Sequence, residues 1–183
     1  MDQLRLEVLR PFLVAATLAA AACGRPLPQD IYIDSSWNPE EAAIIEEAID
    51  EWNELSRTHL KDPQPVLVYR GRYTDDFQPD DFGDDFHVIY RIGRLEQVPE
   101  FLRDDPPGGY GSYGDMLILT FNICEGCDEY AGYLRTVALH EIGHFLSLSH
   151  YEHKAGIMQP GNYDIKHLNE ADVGEFCCIY DCK

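Results

Sequence analysis

Positive charge is scarce in this chain. Its 14 Lys and Arg stand against 33 Asp and Glu, a formal net charge of −19 at pH 7. So acidic a surface repels phosphate, which argues against nucleic acid as a partner. It would attract basic peptides, although solubility alone accounts for it. Membrane-length apolar runs are missing too. The run from Phe12 to Ala22 has eleven residues, too short to cross a bilayer as a helix. No internal repeat or low-complexity segment occurs, so neither a solenoid nor a linker array is expected. The 6 cysteines include one C-x-x-C, Cys124-Glu125-Gly126-Cys127, and a four-thiolate metal site therefore lacks its second half. No nucleophilic triad stands out. What remains suits one folded domain: 183 residues at 45% hydrophobic content can bury a core.

The chemistry that is present concentrates in His140-Glu141-Ile142-Gly143-His144-Phe145-Leu146-Ser147-Leu148-Ser149-His150. Residues four apart on a helix share a face, so His140 and His144 can aim their imidazoles at one metal ion. Glu141 lies beside such an ion, where its carboxylate can hold a water. His150 cannot continue that helical face, so the helix must end near Ser147 and the chain must fold back. Three neutral imidazoles with one open position suit a catalytic zinc. Val137, Ala138, Leu139, Ile142, Phe145 and Leu146 cover nearly the whole circumference, which predicts a buried helix. Buried histidines need partners, and a metal supplies one.

This motif resembles the zinc-binding motif of the metzincin metallopeptidases. Met158, in Ala155-Gly156-Ile157-Met158-Gln159-Pro160, resembles their Met-turn, and its distance from His150 is similar to the matrixin branch. Leu134 to Leu139 reads like the matrixin active-site helix, and Leu168 to Tyr180 resembles the short C-terminal helix of that domain. The resemblance implies an α/β (α+β) metzincin-like zincin domain: a twisted, mostly parallel sheet, two long helices and a small C-terminal subdomain. It implies a zinc metallopeptidase acting on protein or peptide, with one catalytic zinc on His140, His144 and His150. Glu141 would take a proton from the water on that zinc and pass it to the leaving amine. Met158 would lie under the imidazoles as an apolar floor. The stretch Gln159 to Tyr163, including Pro160, would form the wall of the pocket for the residue after the cut bond. Ser147 stands where the family has glycine, and the resulting turn is expected to be strained.

Along the chain, Ile31 to Ile33 reads as a short strand. Asn38 caps a helix with Pro39 at its first position, and Ile45, Ala48, Ile49, Trp52 and Leu55 form its apolar face. Val66 to Tyr69, His87 to Ile92 and Met116 to Phe121 read as strands, the last covered on both faces. Asp128 is the expected cap of the active-site helix. Asp75, Asp76, Asp80, Asp81, Asp84 and Asp85 crowd one loop. Matrixins often carry calcium, yet no EF-hand spacing is present, and a solvated acidic loop is the preferred reading. Gly93 to Asp115 contains no histidine, so a second, structural zinc is not expected there. Its glycine segment, with Gly109 and Tyr110, reads equally as a cleft rim where a peptide adds as a strand or as a plain connector. His59, His87, His153 and His167 have surface or packing roles by default.

Residues 1–22 resemble a bacterial lipoprotein signal, with Ala20-Ala21-Ala22-Cys23-Gly24 placing a lipid anchor on Cys23. An ordinary secretory signal is the alternative, and both export the chain. Residues 23–29 then form a linker, and 30–183 the catalytic domain, expected to be a monomer. In an exported chain Cys124, Cys127, Cys177, Cys178 and Cys182 read as disulfides with one thiol left over. Their expected role is to staple the loop before the active-site helix to the C-terminal helix. A competing function is a zinc-binding cell-surface lipoprotein without turnover. Ser147 favours that reading, and the presence of Glu141 opposes it.

Overall fold

The structure is a computed structural model that describes residues 26–75, 87–104, 106–111, 114–124, 126–151, 155–161 and 164–183. Cys23, Tyr163, His153 and all of the acidic loop except Asp75 lie outside the described residues.

Strand β1 (Gln29–Asp34) leads into helix α1 (Pro39–His59), whose start is a complete capping box. The Asn38 side chain accepts from the Glu40 and Glu41 amides, both at 2.9 Å, while the Glu41 carboxylate accepts the Asn38 amide at 3.1 Å. Strands β2 (Leu67–Tyr73), β3 (Val88–Ile92), β4 (Gly109–Gly111) and β5 (Met116–Leu119) follow, then helices α2 (Tyr130–Phe145) and α3 (Glu170–Ile179). The five strands form one sheet in the order β2-β1-β3-β5-β4. Every pairing is parallel except that of β4, which runs antiparallel to β5 along the sheet edge. The sheet is the mostly parallel one expected. Among the described residues no helix is long and apolar enough to cross a membrane.

Both sheet faces are covered, which explains the unbroken apolar run of β5. Met116 and Ile118 join Ile89 in the main core with α1, α2 and α3, while Leu117 and Leu119 join Val88, Tyr90 and Ile92 in a second cluster behind the sheet. This strand stops at Leu119, where Thr120–Asn122 turn as a 3-10 helix, two residues short of the expected end. Trp52 of α1 is fully buried and donates its indole N–H to the Leu139 carbonyl at 3.0 Å, tying α1 to the residue before His140. Arg135 ties α2 to its surroundings as well: it pairs with Glu47 at 2.8 Å and Glu51 at 2.6 Å, and donates to the Lys166 carbonyl at 2.9 Å.

Two expectations need correction. Asp128 does not cap α2; Glu129 occupies the cap position and makes no side-chain cap bond. Backbone turns bring the chain into the helix instead, with Cys127 donating to the Cys124 carbonyl and Tyr130 to that of Cys127, both at 3.1 Å. Nor do the cysteines staple the loop before α2 to α3. Cys177 bridges Cys182, whose Cα is 5.3 Å away, well within bridging range, while Cys124, Cys127 and Cys178 are free thiols. That local bridge closes the turn after α3, where Cys182 also pairs with Leu60 at the end of α1.

Candidate metal centre

Helix α2 carries His140 and His144 one turn apart and ends in a Schellman motif. The Ser147 amide donates to the His144 carbonyl and the Leu148 amide to that of Gly143, each at 2.9 Å, and Ser147 has φ 72°. That left-handed residue reverses the chain, and buried Leu148 beyond it holds the reversal in the core. His150 consequently returns to the helix face. Its Nε2 lies 3.0 Å from His140 Nε2 and 2.9 Å from His144 Nε2. Among the described residues this is the one group of three His, Cys, Asp or Glu side chains that could hold a metal ion, with ligand atoms within 4.8 Å of one another.

The opposite ring nitrogens fix the tautomers. His140 Nδ1 sits 2.7 Å from the Ile157 carbonyl, and His144 Nδ1 sits 2.9 Å from that of Leu148. A carbonyl only accepts, so each Nδ1 carries the proton and each Nε2 turns a lone pair toward the same point. Burial lowers the proton affinity of both rings, His140 to about 4, with the neighbouring histidines adding to the effect. Neutral imidazoles with held Nδ1–H groups are the form that ligates zinc, and the three converging nitrogens fit such an ion.

The required strain at Ser147 is the one inferred from sequence. Glycine would adopt this φ freely, whereas a side chain is penalised by roughly 1–2 kcal/mol. Ser147→Gly is therefore expected to keep or slightly raise zinc affinity and melting temperature, while Ser147→Val lowers both. Equal values for the two variants, by calorimetry and metal titration, would retire the strained-turn account.

Glu141 projects from α2 beneath β4 and is buried, only 4% exposed. Burial raises its carboxyl to about 8, and a hydrogen bond from the Gly111 amide opposes the rise. Its Oε2 has no hydrogen-bond partner among the described residues. Glu141 and the three histidines line one cleft of about 380 Å³ with Gly109, Tyr110, Thr136, Gln159 and Pro160. Tyr110 borders the cleft, but its ring packs behind the sheet against the second apolar cluster and Phe101, 5.6 Å away between centroids. Met158 is completely buried, with its thioether and the Trp52 ring closing over Gly143 of α2. Calcium finds no support among the described residues, where Asp75 is an exposed loop residue.

Sequence reasoning missed Asp172 on α3. Its side chain is fully buried and accepts the Ile157 amide at 2.8 Å, the Asn169 amide at 2.9 Å and the Tyr151 hydroxyl. Burial, followed by this contact with Asp172, raises the Tyr151 phenol above its ordinary value. Asp172 thus holds the residue whose carbonyl orients His140 as well as the residue that follows His150. A signal existed: Asn169 and Asp172 have capping-box spacing, which predicts the cap though not the other two partners.

No curated protein sequence matches the chain. Among solved structures, archaemetzincin from Archaeoglobus fulgidus shares the fold at TM-score 0.52 and 13% identity, covering 80% of this chain and 99% of that one. High choriolytic enzyme 1, a hatching-enzyme zinc-protease from Oryzias latipes, aligns at TM-score 0.45 and 14% identity over 90% of this chain and 93% of its own. The family model described as Matrixin matches residues 33–180, a span that runs from β1 through α3, and the chain belongs to that family.

Proposed function

We propose that this chain is a zinc-dependent endopeptidase. The observation that carries the reading is the convergence of three Nε2 atoms, two of them with Nδ1 committed to carbonyls, beside a buried carboxylate in one cleft. His140, His144 and His150 would hold the ion. When bound, zinc supplies Lewis acidity, polarising a peptide carbonyl and making a water acidic near neutral pH. Glu141 accepts that water's proton on its carboxylate and later releases it to the departing amine. Burial gives this carboxylate an unusually high proton affinity, which a dication bound by the three histidines would lower. Strand β4 is the last of the sheet and borders the cleft, so an extended peptide can add there as a strand. Pro160 lines the cleft, and with Tyr163 it is assigned from sequence to the wall of the pocket for the residue after the cut bond.

The test is turnover. Zinc-loaded protein should cut casein or a peptide mixture, and a chelator should abolish the activity. Elemental analysis should find one zinc per chain, lost in a His144→Ala, His150→Ala double variant. Full zinc occupancy in that variant rules out this ligand set, and absence of turnover by zinc-loaded wild type leaves the non-catalytic zinc-binding reading. Export and anchoring rest on residues 1–23 alone. A Cys23→Ser variant should leave the membrane fraction on cell fractionation; firm retention would show that the anchor lies elsewhere.

A further inference from the structure

Carbonyls hold His140 and His144, and a bound metal would hold all three histidines, but Glu141 is not a ligand and neither constraint acts on it. Something else must aim its carboxylate. Gly109 and Gly111 both turn their open Cα faces to it. A Cβ on Gly109 would lie 2.7 Å from Glu141 Cγ, 2.7 Å from its Oε1 and 2.7 Å from Val137 Cγ1. One on Gly111 would lie 2.6 Å from the Glu141 carbonyl, 3.0 Å from Oε2 and 3.2 Å from His144 Cβ. Real Cβ atoms essentially never come within 3.0 Å of a neighbour, so a side chain at either position would have to displace the strand, Glu141 or Val137. Tyr110 between them points the other way, as strand alternation requires, and roots the strand in the cluster behind the sheet. Pairing of Gly109 with Ile118 and Gly111 with Met116 fixes the height of β4 above α2.

We propose that Gly109 and Gly111 form a cradle that positions the Glu141 carboxylate against the sheet, making both glycines positioning residues for the proton transfer. This inference rests on the proposed role of Glu141. An added methyl group at residue 109 must push the carboxylate or the strand aside, and a displacement near 1 Å is enough to cost roughly a hundredfold in rate.

Gly109→Ala tests it in two independent ways. In the zinc-loaded enzyme, kcat should fall at least about tenfold while KM and bound zinc stay within about twofold of wild type. An unchanged kcat, or a loss that simply tracks lost zinc, overturns the proposal. The second readout needs no activity. Gly109→Ala should lower the melting temperature by several degrees in the wild-type background, and by clearly less when Glu141→Ala has removed Cγ and the carboxylate. Equal penalties in both backgrounds overturn the cradle. Should Gly109→Ala fail to fold, recovery of folding in the double variant supports the proposal and its absence counts against it. If wild type itself shows no turnover, the peptidase reading falls, while the melting comparison still decides whether β4 rests on Glu141.

Discussion

Glu141→Gln is expected to leave fold and zinc intact while turnover falls by about 10²–10⁴-fold. The amide matches the carboxylate in shape, so the close packing under Gly109 and Gly111 survives. It also avoids a desolvated negative charge, so stability should not suffer. Zinc binding depends on the three imidazoles, none of which bonds to Glu141. What the amide cannot do is accept the water's proton. A single-turnover assay beside metal analysis separates these effects: full zinc, an unchanged melting curve and lost cleavage are the expected set. Wild-type turnover in the Gln variant would remove Glu141 from the mechanism.

Asp172→Ala should be the most damaging change outside the cleft. The substitution strands the buried Ile157 amide and removes the acceptor of the half-buried Asn169 amide and Tyr151 hydroxyl. An orphaned buried donor costs about 1–3 kcal/mol and the two half-buried ones less, against a total stability of roughly 5–15 kcal/mol. A loss of several kcal/mol corresponds to a fall of about 10 °C or more for a domain this size. The metal site should weaken as well, because the carbonyl that orients His140 belongs to Ile157. Losing such an outer partner lowers metal affinity by about 10–100-fold. Asp172→Asn retains the volume and one acceptor oxygen and should fall between Ala and wild type. An Ala variant with wild-type melting temperature and zinc affinity would show that these bonds support nothing beyond the local turn.

The legible part of this molecule is the part encoded at short range. Asn38 with Glu41, the apolar face of α1 and the four-residue spacing of His140 and His144 are each determined within one or two helical turns. The strain at Ser147 followed from the same local logic, since His150 cannot reach the metal unless the chain reverses there. The parts that stayed hidden depend on distant segments meeting in space. Asp172 reads as a mere cap residue until α3 docks against Ile157 and Tyr151. The glycines of β4 read equally as connector or rim, because nothing nearby in sequence announces that Glu141 will lie against them. Cys177 and Cys182 could be paired only once the turn after α3 placed their Cα atoms 5.3 Å apart. Asp128 was misread for the opposite reason: it has a capping residue's chemistry, but the turns from Cys124 to Tyr130 had already set the backbone.

The Asp172 contacts also impose an order in time. Helix α2 is synthesised with two of the three histidines in place, yet a ribosome must add Leu148, His150 and Ile157 before the third nitrogen and both orienting carbonyls exist. It must then reach Asp172 before Ile157 is held. A nascent chain shorter than this can expose His140 and His144 without gripping an ion firmly between them. Maturation of the centre is therefore tied to translation as far as α3, and a chain stalled before α3 would emerge without a finished metal centre.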